Sequence, residues 1–353
     1  MSIQKGFKFS TEPNDLKQAK AEHIARQMEL YLNKLHSIPN LRDSDTDLFL
    51  YQSYADVLRR KKKEGFKELP LPYFTPSSAG SCSRELYMKV KGADRDLSPV
   101  QPHQTRWQNI GTAIGDAIQK DLLLGERHFE RLTGESCPFE FLKSPLYLEP
   151  MFEEFAFMDK LIEAKNPFYL RGTTDGLMKF TDTDGKVYKV GLEIKSKQTT
   201  YAGTGFRNMR EVNPKHKTQT VCYSLMYDVD FWIVLYVNGS KKSWNMTPEE
   251  FAKAPDIRAF GHYVTEEMKE EVAVKFNDIL EGVKTENAPK LDLTNWTFNN
   301  YKRACALDLT DREFYELIQE AGEIENDTQT PAFVKREVEK AISDIFELRG
   351  GSL

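Results

Sequence analysis

Cysteine is scarce in this sequence. There are four in 353 residues, Cys82, Cys137, Cys222 and Cys305, far apart and with no C-x-x-C pair. That spacing argues against a zinc ribbon and a dense disulfide framework, so reduced thiols are expected. Long apolar runs are missing as well. No stretch approaches the roughly 20 uninterrupted apolar residues that a membrane-spanning helix needs, and the opening MSIQKGFKFSTEPNDLKQ has no apolar segment of a secretory signal. The expected location is therefore the cytoplasm, without membrane contact. A G-x-x-x-x-G-K-[ST] loop is absent, since neither Gly191 nor Gly239 has that spacing, and an ATP-driven motor within the chain is not expected. Excess positive charge is lacking too. The 49 Lys and Arg against 54 Asp and Glu give a formal charge of −5, which speaks against coating nucleic acid by bulk electrostatics and leaves room for a local basic groove.

What is present is the composition of a soluble globular protein, 40% hydrophobic, 12% aromatic and 29% charged, long enough for about two domains on a prior of roughly 150 residues each. Apolar residues at helical spacing predict helices over 12–35 and through Leu48, Tyr51, Tyr54 and Val57. The run Arg59 to Lys63 then reads as the solvated end of a helix, with phosphate contact the lesser reading. Prolines make 69–78 an extended linker, in which Ser77 or Ser78 caps a helix that begins near Gly80 and carries Arg84, Leu86 and Tyr87. Another helix is expected over 104–124. Strands are expected over 145–157 and 169–180, with a turn at 181–185 and a third strand ending at Lys195. A basic loop over 199–214 leads to a helix through Gln219, Tyr223 and Tyr227, and 231–237 reads as a buried strand. Helical patterns return after Thr247, over 266–283, 311–321 and 331–348. The expected architecture is an N-terminal helical region (1–68), an α/β core (69–245) and a C-terminal helical region (246–353).

The residues that carry chemistry are Asp175 and the run Glu193-Ile194-Lys195. Alternation along the third strand puts Val190, Leu192 and Ile194 on one face and Gly191, Glu193 and Lys195 on the other. The hairpin brings Asp175 back alongside, so two carboxylates and an ammonium converge. Such hard oxygen ligands suit Mg²⁺ or Mn²⁺, to which the backbone carbonyl of Ile194 can add an oxygen, and Lys195 suits the charge that develops in phosphodiester hydrolysis. On pattern alone, an ordinary exposed Glu–Lys pair on a half-buried strand is the competing reading. Context adds weight. Gln219 and Tyr223, four apart, share a helix face, and from 195 to 217 the chain carries Lys195, Lys197, Arg207, Arg210, Lys215 and Lys217 against one acid, Glu211.

The combination Gly172-x-x-Asp175-Gly176, Glu193-Ile194-Lys195 and Gln219-x-x-x-Tyr223 resembles the PD-(D/E)XK nuclease superfamily, in particular its RecB-type exonuclease branch. Upstream, the run from Pro76 to Tyr87 looks like the N-terminal element of iron–sulfur members, among them CRISPR-associated and AddB-type nucleases. The resemblance implies a restriction-endonuclease-like core, a mixed central sheet flanked by helices. It implies that Asp175 and Glu193 bind metal, that Lys195 assists the attacking water, and that Gln219 and Tyr223 place the DNA. Arg84, Ser196 and Lys197 join them as expected DNA contacts. Two departures stand out. Four residues after Gly111, where such members carry a metal-binding histidine, stands Gly115, and the neighbouring Asp116 is either a substitute oxygen ligand or a solvent-facing residue. Cys82 has only Cys305 as a distal counterpart, so no iron–sulfur cluster is expected and Cys82 reads as a small buried hydrophobe.

Lesser candidates are His216, a phosphate contact or, as expected, a solvated loop residue; Glu153 and Glu154, further metal ligands or, as expected, surface carboxylates; and Lys241 with Lys242, which line the DNA channel or serve solubility at a strand end. The reading that follows is an Mg²⁺- or Mn²⁺-dependent DNA exonuclease of recombination, repair or phage genome processing, in the host cytoplasm if viral. A helicase or a single-strand-annealing partner would accompany it. The alternatives are a restriction- or resolvase-like endonuclease and an inactive DNA-binding subunit.

Overall fold

The computed structural model describes residues 13–65, 67–97 and 99–351. The expected helix start at Glu12, with the rest of 1–12, lies outside them. Two helices come first, α1 (Asn14–His36) and α2 (Ser44–Glu64), then the short strand β1 (Tyr73–Phe74), α3 (Ser83–Val90) and the long α4 (Pro102–Thr133). The strands β2 (Phe139–Phe141), β3 (Met158–Ile162), β4 (Phe168–Gly172), β5 (Gly176–Thr181) and β6 (Val187–Lys197) follow. Next are α5 (Pro214–Tyr227), β7 (Phe231–Asn238), α6 (Pro248–Lys253) and β8 (Ile257–Tyr263). The chain finishes with α7 (Glu266–Thr285), α8 (Lys302–Asp308), α9 (Asp311–Asn326) and α10 (Ala332–Leu348).

The fold is mixed α/β, as expected. A five-stranded sheet has the order β2-β5-β6-β7-β8, with β6 and β7 parallel and the other neighbours antiparallel. A small sheet, β1-β4-β3, stands beside it. The β5–β6 hairpin forms as expected, closed by Gly185 at φ 80°, a left-handed conformation that glycine adopts without strain. Side-chain alternation sorts the sheet's two faces into different cores. Met178, Val190, Leu192, Ile233 and Leu235 pack with α1 and α4 through Met28, Leu32, Ile118 and Leu122. On the opposite face Leu177 and Trp232 pack with Tyr223, Phe276, Cys305 and Ile345 from the helices of the C-terminal half. Helices therefore cover both faces.

Three strand expectations change. Residues 145–157 form no long strand but a turn and a 3₁₀ segment at Glu153–Phe155. The stretch 169–180 is two strands in different sheets, broken at 173–175. The third change moves a boundary. β8 pairs with β7 along its whole length, so the sheet runs past residue 245 into the region expected to be helical.

β8 also explains why 1–68 is not a separate unit. Its outer edge would expose unpaired backbone groups. α1 covers that edge: Gln18 accepts from Tyr263 N at 2.9 Å and donates to Gly261 O at 3.0 Å, and Glu29 accepts from Ala259 N at 2.5 Å. The approach is so close that a Cβ on Gly261 would lie 2.1 Å from the Ala21 backbone. Gly261→Ala should therefore cost about 3 kcal/mol in denaturant unfolding and expose α1 to proteolysis. Gly322→Ala in α9, where a Cβ meets nothing within 4 Å, should be neutral or stabilising by up to about 1 kcal/mol. Equal midpoints for the two variants would contradict the edge-covering role of α1.

Candidate active site

The break between β4 and β5 builds the site. Thr174 is fully buried there, and its hydroxyl donates to Leu192 O at 3.0 Å, which locks the chain beside β6 as it enters the large sheet. Register pairs Gly176 with Leu192, so β5 ends before Ile194 and leaves that residue's backbone without a strand partner on this side. Asp175 fills the gap. Its Oδ2 accepts from Ile194 N at 2.5 Å. Because the N–H and C=O of one strand residue project to the same side, the Ile194 carbonyl points past the end of β5 too.

Glu193 and Lys195 point to the α5 side. Glu193 is 2% exposed; its Oε1 lies 2.5 Å from Lys195 Nζ, and its Oε2 is buried with no hydrogen-bond partner. Lys195 Nζ also donates to Gln219 Oε1 at 3.0 Å, and Gln219 Nε2 donates to Tyr223 Oη at 2.9 Å. Four of the expected residues thus form one chain of polar contacts. Its far end is rigid, because Tyr223 stacks on Trp232 at 5.3 Å and Trp232 Nε1 donates to Ser224 Oγ at 2.7 Å. Gly191 makes room for the indole, since a Cβ there would lie 2.2 Å from it.

Asp175 and Ile194 line a 610 Å³ cavity together with Asp116, Glu153, Tyr54 and Gln119; Glu193 lies outside its lining. Asp116 stands on α4 in this wall, one residue beyond Gly115, at which a Cβ would meet nothing within 4 Å. Glu153 belongs to the site more firmly than its sequence suggested. Its N–H donates to Thr174 O at 2.9 Å, Thr173 Oγ1 donates to its carbonyl, and its φ of 44° is a conformation that costs a non-glycine residue energy. Gln119, which the sequence reading passed over, is 1% exposed and donates to Asp175 O at 3.0 Å and Glu153 Oε1 at 3.5 Å. Its signal was a buried amide on the apolar side of α4, three residues after Asp116. Glu154 is a surface carboxylate as expected, paired with Lys61.

Carboxylates so crowded resist ionisation. Burial, then the charges of Glu193 and Glu153, hold Asp175 well above the usual carboxylate range. Burial also raises Glu193, with Lys195 opposing, and raises Glu153 and Asp116. Among the described residues, no three acidic, His or Cys side chains are already gathered around one point that could hold a metal ion. Asp175 and Glu193 are instead turned onto Ile194 N and Lys195. The donors nevertheless fit a hard divalent cation, for all are carboxylate or carbonyl oxygens and the partnerless Glu193 Oε2 is a buried acceptor.

Other expected residues go elsewhere. Arg84 does not face a groove. It is 1% exposed and paired with Asp308 and Glu313, each at 2.7 Å, so it cannot contact phosphate and instead ties α3 to the C-terminal helices. Ser196 Oγ accepts from Gln198 Nε2 at 3.2 Å beside Gly111, and Lys197 Nζ lies 5.2 Å from the Tyr236 ring centroid. His216 is half-buried rather than fully solvated. Its Nδ1 lies 2.8 Å from Tyr236 Oη, and burial with Lys195, Lys197 and Lys215 nearby pushes its pKa down to about 3, so the ring is neutral near pH 7. Lys241 and Lys242 pair with Asp256 and Glu250. Within the run expected as a solvated helix end, Arg60 is bound to Glu149 at 2.6 Å. Cys82, Cys222 and Cys305 are buried in one core, while Cys137 packs against the other.

No family model matches the chain, and no curated protein matches its sequence. Among solved structures it is similar to SSO0001, at 10% identity and a TM-score of 0.37, with 73% of this chain and 98% of that one covered. It is also similar to an alkaline exonuclease, LHK-Exo, from Laribacter hongkongensis, at 12% identity and a TM-score of 0.35, with 62% and 90% covered. LHK-Exo in complex with dAMP gives 12% and 0.32, with 60% and 88% covered. Among the described residues no helix is long and apolar enough to cross a membrane.

The crowded acids make stability depend on pH. In the metal-free protein Asp175 holds its proton to higher pH than in the unfolded chain, so stability should fall as pH rises from the ordinary carboxylate range through the raised value, by about 1.4 kcal/mol per pH unit for one group. Asp175→Asn keeps an acceptor for Ile194 N and removes the charge. In EDTA it should be more stable than wild type above the raised value and should flatten the decline of stability with rising pH. Parallel stability curves for the two proteins would refute the crowding.

Proposed function

We propose that the chain is a metal-dependent deoxyribonuclease that acts as an exonuclease. The observation that carries this reading is Lys195 Nζ held between Glu193 Oε1 and Gln219 Oε1 on the strand beside Asp175. A surface ion pair would need no buried glutamine and tyrosine behind it, and it would not leave a buried carboxylate oxygen unpartnered. The arrangement also matches the PD-(D/E)XK pattern residue by residue at Asp175, Glu193, Lys195, Gln219 and Tyr223.

Asp175, Glu193 and the Ile194 carbonyl would hold the ion, with Asp116 and Glu153 as further oxygen donors. Bound there, Mg²⁺ or Mn²⁺ would polarise the scissile phosphate and make water a better nucleophile. Lys195 donates a hydrogen bond to the attacking water and offsets the negative charge that grows on the phosphate oxygens. Gln219 holds the ammonium in place, and Tyr223 holds Gln219, so the donor needs little reorganisation during reaction. Asp175, Asp116 and Glu153 share one cavity, into which a strand end would bring its phosphate. DNA is the partner proposed; strand opening falls to a separate helicase or recombination protein.

The test is end-labelled linear DNA beside a closed circle, in Mg²⁺, in Mn²⁺ and in EDTA. Metal-dependent loss of the linear species alone is the expected result. Lys195→Ala should lower the rate by about 10²–10⁴-fold and retain Mn²⁺ uptake measured by calorimetry, whereas Asp175→Ala should lose both. Cutting of the circle would establish an endonuclease instead. DNA binding without cleavage in any metal would leave an inactive subunit.

A further inference from the structure

The first turns of α4 stand clear of the core. Residues 101–110 are all exposed, and burial begins only near Gly111, where the helix meets Ser196. A helix end this free gains little from tertiary packing, yet it carries Trp107, 46% exposed. Across a groove of 840 Å³ stands Phe298, 76% exposed. Two large aromatic faces left in water on opposite walls of one groove mark a binding site rather than scattered surface residues.

Both rings sit on backbone that is held in place. Gln198 Nε2 donates to Trp107 O at 3.1 Å and to Ser196 Oγ, two residues beyond Ile194. Phe298 lies between the buried Trp296 and Asn299, and Asn300 N donates to Glu85 at 3.1 Å. Cations surround them. Arg95, which donates to Asn300 Oδ1 at 2.6 Å, and Lys302, 3.9 Å from Asp344 Oδ2, line the groove, and Lys215 Nζ lies 5.7 Å from the Phe298 ring centroid, one helical turn before Gln219. The groove's one acid, Asp96, has its carboxylate occupied by the backbone N–H groups of Lys302 and Arg303.

We propose that Trp107 and Phe298 are a stacking subsite for unpaired bases of single-stranded DNA, whose phosphates the flanking cations bind. Unpaired bases offer a free π-face and a phosphate on every nucleotide, the two features these walls complement, whereas duplex bases are already stacked on one another. The subsite rests on the nuclease reading for its purpose: through Ser196 on one wall and Lys215 on the other it leads to Ile194 and Gln219. It would make single strands, or the frayed end of a duplex, the preferred substrate.

The experiment measures binding apart from cleavage. Fluorescence anisotropy with the full chain in EDTA compares a labelled single-stranded 12-mer, the same oligomer with abasic sites, and a blunt hairpin duplex. Trp107→Ala and Phe298→Ala should each weaken single-strand binding about 10-fold and leave hairpin binding within about 2-fold, while Trp107→Phe retains most of it. The abasic oligomer should bind wild type about as weakly as the intact one binds the alanine variants. Unchanged single-strand affinity in the alanine variants, equal loss on the hairpin, or no effect of abasic sites would overturn the subsite. So would a wild-type protein that binds no single strand. If the linear-DNA assay still shows metal-dependent cleavage in that event, only the subsite has failed. Ring-dependent binding without cleavage in any metal would sink the nuclease reading and keep the subsite.

Discussion

The structure turns on one handover, where the chain leaves the small sheet after Gly172 and enters the large one at Gly176. Three residues make the crossing, and each is committed. Thr174 is buried and bound to Leu192 O, Asp175 accepts from Ile194 N, and Thr173 holds the Glu153 backbone. Sliding the hairpin by one residue would turn every side chain of β5 to the wrong core. It would also leave Ile194 N without an acceptor. The register that builds the core and the register that gathers the carboxylates are therefore the same.

A second set of contacts stiffens the opposite side. Gly191 admits Trp232, Trp232 supports Tyr223, Tyr223 holds Gln219, and Gln219 holds Lys195. Every link but the last is nearly shut off from solvent, so the ammonium is placed by core packing and not by loop conformation. A site supported in this way keeps its geometry while its acids change protonation. The acids themselves work against folding, since Asp175, Glu193 and Glu153 all carry raised pKa values. Such crowding persists in a fold only where the rest of the structure over-determines it.

Much of this was readable from local pattern. Strand alternation puts Glu193 and Lys195 together, and a four-residue helical spacing puts Gln219 beside Tyr223, because both periods are properties of the backbone alone. Asp175 was reachable through the hairpin. What escaped depends on distant partners. Residues 169–180 read as one strand because the apolar pattern continues on both sides of Gly172 and Asp175-Gly176, the local signals that mark the break. β8 contains Arg258 and Gly261, which weaken a strand signal, and only its pairing with β7 and its cover by α1 explain them. Arg84 looked like a phosphate ligand because its acids, Asp308 and Glu313, lie more than 200 residues away. Glu153 and His216 meet Thr174 and Tyr236, partners near in sequence but on elements that local pattern does not bring beside them.

Arg84 shows how a residue removed from the groove still shapes it. Its two ion pairs tie α3 to α8 and α9, and the neighbouring Glu85 accepts from Asn300 N in the segment that presents Phe298. Cys82 and Cys305 meet in the same core. The C-terminal helices are thus fastened to the sheet by buried charge and apolar packing, without a covalent link. Breaking a buried ion pair leaves an uncompensated charge, a cost of several kcal/mol, so this fastening resists loosening even though the pair contributes little over an apolar substitute. The consequence is a groove with one wall anchored through Arg84 and Glu85 and the other on α4, tied to the end of β6 through Gln198. The α4 wall belongs to the same helix as Asp116, so the groove and the carboxylates share one rigid element.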